Sequence, residues 1–183
     1  MYLEKQKETF SKLYTADSVK NKINRVYVSG LSLAIRKKDD KNYELIKTKI
    51  KESGNADAEN IIMDADLKLY KRDKDWDKYA TTAVSFVEKF AKEDANILNN
   101  IAWSFYENVK DKKMLEAAAA WAKHSTELQD NYPNNDTYAA LLFKLEKKTD
   151  AKAAAEKAIE LAKKNGDKFG ETEELLKQIE KLK

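Results

Sequence analysis

Apolar residues recur along almost the whole chain at the spacing of an α-helix. Ile23, Tyr27, Leu31 and Ile35 follow one another in steps of four, and the same step returns further along. A step of four keeps side chains on one face of a helix, whereas a half-buried strand alternates in steps of two. The pattern therefore predicts a succession of amphipathic helices.

Short polar breaks separate these segments. Several of them carry Asp, Ser, Thr or Asn at the point where the next helix needs an N-cap. The predicted breaks are Thr15–Asp17, Lys38–Asp40, Ser53–Asn55, Asp73–Asp75, Lys92–Asp94, Asp111–Lys112, Tyr132–Asn135, Lys148–Asp150 and Asn165–Asp167. They predict about ten helices of roughly 10–20 residues, joined by turns so short that neighbouring helices must run antiparallel.

The composition removes several classes of protein. With 4 Gly and 1 Pro, the chain lacks the turn-forming residues that a β-sandwich or barrel needs. The absence of Cys excludes disulfides, thiolate zinc sites and thiol redox chemistry carried by this chain. A single His leaves almost no material for a histidine-based metal or catalytic centre. We accordingly predict no metal, no cofactor and no catalytic residue.

The charges are numerous but nearly balanced. Lys and Arg total 35 against 32 Asp and Glu, and both signs are interspersed, as in Tyr70–Asp75. That mixture is typical of solvated helix faces and lacks the basic stripe of a nucleic-acid binder. No run approaches the ~18 apolar residues of a membrane span, and residues 1–7 have no apolar core of a signal peptide. We expect a protein without a membrane span, either intact or part of a longer one.

The breaks and small residues suggest a repeat. Residues 40–43 resemble residues 73–76 at an offset of 33, and four small or apolar residues of one helix reappear 33 residues later. These pairs are Ala118 with Ala151, Ala122 with Ala155, Ser125 with Ala158, and Leu128 with Leu161. Ala102 corresponds to Ala139 at an offset of 37. A helical unit recurring at this spacing indicates a repeat array; the alternative is coincidence among helices rich in Ala and Lys.

These residues resemble tetratricopeptide repeats. That family places a small residue in the middle of its first helix, matched by Ala102 and Ala139, and another early in its second, matched by Ala118 and Ala151. The other matched positions are large apolar Leu98, Ile101, Phe105 and Leu142, and small Ala122, Ser125, Ala155 and Ala158. The glycine and closing proline of the family are missing, so the repeats are degenerate.

The resemblance implies an all-α fold, a right-handed stack of about five antiparallel helical hairpins. We predict one helical-repeat domain over residues 1–183. Residues 1–92 form degenerate hairpins, residues 93–165 two better-matched repeats, and residues 166–183 a capping helix. Leu175, Leu176, Ile179 and Leu182 line one side of that last helix, and charged residues occupy the rest.

A second resemblance is more specific. The runs Asn96–Val109 and Asn134–Leu145 are similar to the helical C-terminal region of a group of bacterial envelope thioredoxin-fold proteins. In that group a domain with a Cys-x-x-Cys motif precedes the helices, so the resemblance implies the helical accessory region of a larger disulfide oxidoreductase. It also implies a periplasmic or envelope location and a thioredoxin-like domain as one possible partner.

In tetratricopeptide arrays the first helices of successive hairpins line a concave surface where proteins or peptides dock. Setting Ala102 inward places Asn96, Asn99, Trp103 and Tyr106 on that surface. The next repeat adds Asp136 and Phe143, together with Ala140. An aromatic ring among amides suits an extended peptide. The competing interpretation places Trp103 in the core beneath the neighbouring repeat, as is usual for aromatic residues on helices.

We therefore predict a non-catalytic protein–protein interaction module. A structural spacer or dimerisation element is the alternative, and a carboxylate enzyme is the remote one. For that enzyme the candidates are Asp39 with Asp40, expected to be caps or loop, and Asp64 with Asp66, expected on different helix faces. His124 has no second histidine beside it and is expected at the surface.

Overall fold

The computed structural model describes residues 2–182, apart from the side chain of Leu3, and is built of helices. Met1 and Lys183, the ends of the predicted domain, lie outside the described residues. The helices are α1 (Tyr2–Lys5), α2 (Lys7–Leu13), α3 (Ala16–Lys37), α4 (Asp40–Glu52), α5 (Ala58–Asp73), α6 (Trp76–Phe86), α7 (Ala95–Asn108), α8 (Lys112–Leu128), α9 (Tyr132–Lys144), α10 (Lys148–Asn165) and α11 (Gly170–Glu180). A π-helical turn, Val87–Ala91, follows α6. No strand occurs between residues 2 and 182, which confirms the all-α prediction.

The chain divides into two compact units, which we call unit 1 (Met1–Thr82) and unit 2 (Ala83–Lys183). In unit 1, α3 packs against α2, α4 and α5. In unit 2, α7 packs against both α8 and α9, and α10 packs against α9 and α11. The division falls within α6, whereas the sequence predicts one domain whose repeats improve after residue 92. The right-handed stack of hairpins stays a prediction.

Polar side chains cap the N-termini of five of the described α-helices, and four of these five caps lie in predicted breaks. The side chains of five N-cap residues accept a hydrogen bond from the backbone N–H three residues later, which satisfies a donor that the helix leaves unpaired. These caps are Thr15, Asp39, Asp94, Asp111 and Asn131.

Two predicted breaks are misplaced. Residues 132–135 lie inside the first turn of α9, and residues 148–150 inside the first turn of α10. Pro133 misled the prediction of the first break, because proline normally marks a turn. In the first turn of a helix its missing N–H costs nothing, since that donor has no partner there. The turns lie just before, ending at Asn131 and Lys147.

Cations from neighbouring helices close helix ends that lack glycine. Arg72 on α5 donates to the Ile35 carbonyl at the end of α3, at 3.0 Å. Lys144 at the end of α9 donates to the Val109 carbonyl after α7, at 3.0 Å. Lys148 donates to the Glu180 carbonyl of α11, at 3.1 Å. A cation at this end also complements the partial negative charge of the helix dipole.

The core of unit 1 combines large side chains with one buried ion pair. Tyr27, Leu31, Tyr43 and Ile50 are all at most 3% exposed. Asp66 on α5 is 8% exposed and accepts hydrogen bonds from Lys47 and Tyr43, both at 2.7 Å. A buried carboxylate with two donors joins α4 to α5.

The repeat offset in unit 1 is 36 residues, so the predicted offset of 33 is wrong there. Left-handed Lys38 (φ 54°) corresponds to left-handed Lys74 (φ 58°). Four residues after the N-cap Asp39 comes buried Tyr43, and four residues after Asp75, which accepts from the Lys78 N–H, comes buried Tyr79. Tyr43 therefore matches Tyr79 rather than Trp76. The burial of Tyr43 and Tyr79 identifies them as the corresponding positions. A comparison of the amino-acid sequence alone does not show which residues are buried.

Alanines dominate the helix contacts of unit 2. Every matched small residue of the predicted repeats is completely buried, at 0% exposure: Ala102, Ala118, Ala122, Ser125, Ala139, Ala151, Ala155 and Ala158. This burial is consistent with the offset of 33 between α8 and α10 and of 37 between α7 and α9, and the repeat itself stays a prediction. Trp121 on α8 packs edge-on against Phe105 of α7, with ring centroids 5.2 Å apart. Small residues let the helix backbones approach closely, and the indole fills space beside them.

Helix α11 has the two-sided character predicted for residues 166–182. Ile179 is completely buried, and Leu175 and Leu176 are half-buried against a cluster from α9 and α10. Glu173, Glu174 and other charged residues of this helix are exposed.

Candidate protein-binding face

The six predicted binding residues lie on two helices that contact each other. Asn96, Asn99, Trp103 and Tyr106 are on α7, and Asp136 and Phe143 are on α9. Asn96 is exposed and the other five are half-buried. We call these six residues the α7–α9 face.

The centre of the face is a pair of aromatic rings one helical turn apart. The rings of Trp103 and Tyr106 have centroids 5.0 Å apart and planes inclined at 42°. Trp103 is half-buried, whereas Phe105 and Ala102 beside it are completely buried. The indole is therefore only partly enclosed. This burial is intermediate between the exposed docking residue and the core residue that the sequence left as alternatives. Burial raises the pKa of the Tyr106 hydroxyl, and the nearby charges of Asp136 and Glu107 raise it further.

Asn99 has an unsatisfied acceptor. Its Oδ1 atom is buried and has no hydrogen-bond partner among residues 2–182. A buried acceptor without a donor costs about 1–3 kcal/mol. Once the side chain turns outward, a hydrogen bond from any donor to this oxygen removes that cost.

Asp136 is held on one side only. Thr172 of α11 donates to its Oδ1 at 2.6 Å, and the Tyr132 hydroxyl lies 2.9 Å from the same Thr172 oxygen. Burial raises the pKa of the Asp136 carboxyl, the bond from Thr172 lowers it, and the charge of Glu171 raises it. In the described part of the chain no cation pairs with this carboxylate.

Phe143 contributes to packing, because its ring lies against the buried cluster that contains Ala139, Ala155 and Ile179. The following residue was missed by sequence reasoning. Lys144 lies 5.5 Å from the centroid of the Tyr106 ring and also donates to the Tyr106 carbonyl. Burial lowers the pKa of its ammonium, and the charge of Lys110 lowers it further. Thr172 and Tyr132 were also missed, and no spacing in the sequence links them to Asp136.

The carboxylates considered for an enzyme are occupied elsewhere. Asp39 caps α4, and Asp40 pairs with Arg72 at 2.8 Å. Asp64 pairs with Lys68 at the surface, whereas Asp66 is buried, which confirms that the two point to different faces.

His124 lies at the surface as expected, with 40% of its side chain exposed and Glu127 at 3.1 Å. Within residues 2–182 no group of three or more His, Asp or Glu side chains has a geometry that could hold a metal ion.

A groove of about 680 Å³ lies between α10 and α11, away from the α7–α9 face. Glu156, Glu160, Lys163 and Lys177 contribute exposed charges to it around an apolar floor that includes Leu176. Exposed charges of both signs contribute little binding free energy, because water screens them. The groove has no aromatic anchor comparable to Trp103.

No protein-family model, curated protein or solved structure matches the chain. Over residues 2–182, every helix is too short or too polar to cross a membrane.

Proposed function

We propose that unit 2 is a non-catalytic protein-interaction module that binds an extended peptide along the α7–α9 face. The observation that carries the proposal is the half-buried Trp103–Tyr106 pair. The same face carries two groups that have no partner among residues 2–182, the Asn99 carbonyl and one oxygen of Asp136. The hairpins are α7 with α8 and α9 with α10, stacked as in tetratricopeptide repeats, and α11 caps them.

The packing of unit 2 supports this arrangement. Helix α7 contacts its own partner α8 and also α9, the first helix of the next hairpin. The completely buried Ala102 and Ala139 occupy equivalent positions on α7 and α9. With these residues inward, the neighbouring positions Asn99, Trp103 and Tyr106 turn toward one side of the stack.

The chemistry of the face suits a peptide. Trp and Tyr are the residues that most often dominate binding free energy at protein interfaces, because each offers a large apolar surface with few rotatable bonds. Asn99 supplies a carbonyl acceptor for a backbone N–H of the peptide once its amide turns outward.

The thioredoxin-fold resemblance supplies the proposed context. On that basis the module is the helical accessory region of a disulfide oxidoreductase in a bacterial envelope, and its peptide comes from a protein partner or from a thioredoxin-like domain. Only the similarity of residues 96–109 and 134–145 supports this context. A spacer or dimerisation element without a peptide site is the alternative that the binding experiment decides.

The experiment compares Trp103→Ala with Trp76→Ala in a selection of random 12-residue peptides displayed on phage. Trp76 is a matched control, since it is half-buried and packs against a tyrosine three residues later, with ring centroids 5.6 Å apart. We expect Trp103→Ala to weaken binding of the selected peptides by about 30-fold. We expect Trp76→Ala to bind as the parent chain does.

Circular dichroism on the same samples decides what a loss of binding means. Unchanged helical content in Trp103→Ala supports the docking surface. A collapse of helical content would make Trp103 a core residue. Equal binding by both variants would contradict the proposal and favour the spacer.

A further inference from the structure

The polar groups on the α7–α9 face are rich in acceptors and poor in donors. Asp136 offers its second carboxylate oxygen, which accepts no hydrogen bond within residues 2–182 and is not among the fully buried atoms that lack a partner. The Asn99 carbonyl is also without a donor. Lys144, the cation beside Tyr106, is directed to the carbonyls of Tyr106 and Val109 at the end of α7. A ligand that matches this face must bring donors.

The charge that acts on Asp136 is negative. Glu171 on α11 is close enough to raise the pKa of the Asp136 carboxyl. Asp136 in turn raises the pKa of Tyr106 on α7 and of Tyr132 on α9 through its charge. A half-buried carboxylate with a second carboxylate nearby and no cation is incomplete, because desolvation of a charge is ordinarily balanced by pairing.

We propose that the bound peptide is basic and that an arginine side chain of the peptide pairs with Asp136. This inference rests on the proposed function. Arginine fits better than lysine, because its planar fork can donate to the carboxylate while its flat face stacks on an aromatic ring. Lys144 already lies 5.5 Å from the Tyr106 ring centroid, so this ring accepts a cation.

The structural role of Asp136 does not account for its open side. The bond from Thr172 ties α9 to α11 through one oxygen of the carboxylate. An asparagine could accept that bond through its carbonyl without bringing a charge into a half-buried position. The negative charge is therefore the feature that needs a ligand.

The probe is the tightest peptide from the random selection that depends on Trp103, acetylated and amidated so that its termini carry no charge. Each arginine is replaced in turn by citrulline, which has nearly the same shape and no charge. We expect one replacement to weaken binding to the parent chain by about tenfold or more. The same replacement should change binding to Asp136→Asn by less than about twofold, because the partner charge is already gone.

Asp130→Asn is the matched control. Asp130 is a carboxylate of the same unit that already pairs with Lys157, at 3.1 Å, so its removal should leave the citrulline effect intact. The citrulline measurement on the parent chain needs no protein variant, so the absence of any citrulline effect there would overturn the arginine site even if Asp136→Asn folds poorly.

The outcomes separate this inference from the proposed function. Trp103-dependent peptides without arginine, or an equal citrulline effect in the parent chain and a folded Asp136→Asn, would overturn the arginine site and leave peptide binding standing. The absence of any Trp103-dependent peptide would overturn both. A citrulline effect confined to the parent chain and Asp130→Asn would support both.

Discussion

The two units differ in the side chains that pack their helices and in the partners of their buried or half-buried carboxylate. Unit 1 buries large side chains such as Tyr43 and Leu31 around Asp66, which has two donors. Unit 2 packs its helices through completely buried alanines, and its half-buried carboxylate, Asp136, has one donor and no cation among residues 2–182. A satisfied buried charge serves the structure of its own chain. A charge left unsatisfied at the surface of a well-packed unit points to a ligand.

The contrast extends to what each unit can tolerate. In unit 1 the polar network is the sensitive feature, because loss of one partner leaves a buried charge alone. In unit 2 the alanine contacts are sensitive, because they leave no room for a larger side chain. Substitution of Asp136, the half-buried carboxylate of unit 2, should instead leave the fold intact.

The largest effect is expected from removal of the cation beside Asp66. Lys47→Met keeps most of the apolar part of the side chain but leaves the Asp66 carboxylate with Tyr43 as its remaining described donor. Breaking a buried ion pair from one side costs about 3 kcal/mol or more. The free energy of unfolding in urea, followed by circular dichroism, measures the loss.

Lys68→Met is the control for that measurement, because Lys68 pairs with Asp64 at the surface, where their side chains are 54% and 41% exposed. This pair should contribute no more than about 0.5 kcal/mol. Equal effects of the two substitutions would show that the buried pair of Lys47 with Asp66 stabilises unit 1 no more than a surface pair does.

The next largest effect is expected from overpacking unit 2. Ala118→Trp inserts an indole at a completely buried position of α8 and should destabilise the chain by about 1–3 kcal/mol or more. Ala120→Trp is the control on the same helix, at an exposed position. An unchanged melting temperature in Ala118→Trp would show that Ala118 does not lie at a contact between helices.

Much of the fold could be predicted from the sequence, because local patterns determine it. The period of four predicted helices, and Asp in the breaks predicted the N-caps at Asp39, Asp94 and Asp111. Small residues at offsets of 33 and 37 predicted the buried contacts of unit 2. What failed depended on contacts between helices. The cations Arg72 and Lys148, which cap ends of other helices, gave no local signal.

The candidate site was predictable in part for the same reason. The period placed Trp103 and Tyr106 on the same side of α7, and the offset of 37 made Asp136 the counterpart of Asn99. The unsatisfied state of Asn99 and the single donor of Asp136 are properties of the packed unit. The donor to Asp136 is Thr172, 36 residues further along, whose contribution no spacing in the sequence indicates.

At neutral pH the charged side chain of Asp136 should stabilise the folded state less than an uncharged side chain at the same position would. Its carboxyl pKa is raised in the folded chain, chiefly by burial, so the folded state holds the proton more tightly than the unfolded state. The stability that this protonation provides is present at low pH and is lost as the pH rises through the raised value. Asp136→Asn should therefore melt at the same or a slightly higher temperature at pH 7, and this advantage should disappear in acid.

The most direct test of the contrast between the units is one sample of Asp136→Asn, measured at pH 7 for both melting temperature and affinity for the selected arginine peptide. A melting temperature equal to or above that of the parent chain, together with a loss of affinity of about tenfold, is the expected result. A lower melting temperature with unchanged affinity would make Asp136 a structural residue like Asp66 and would contradict the account.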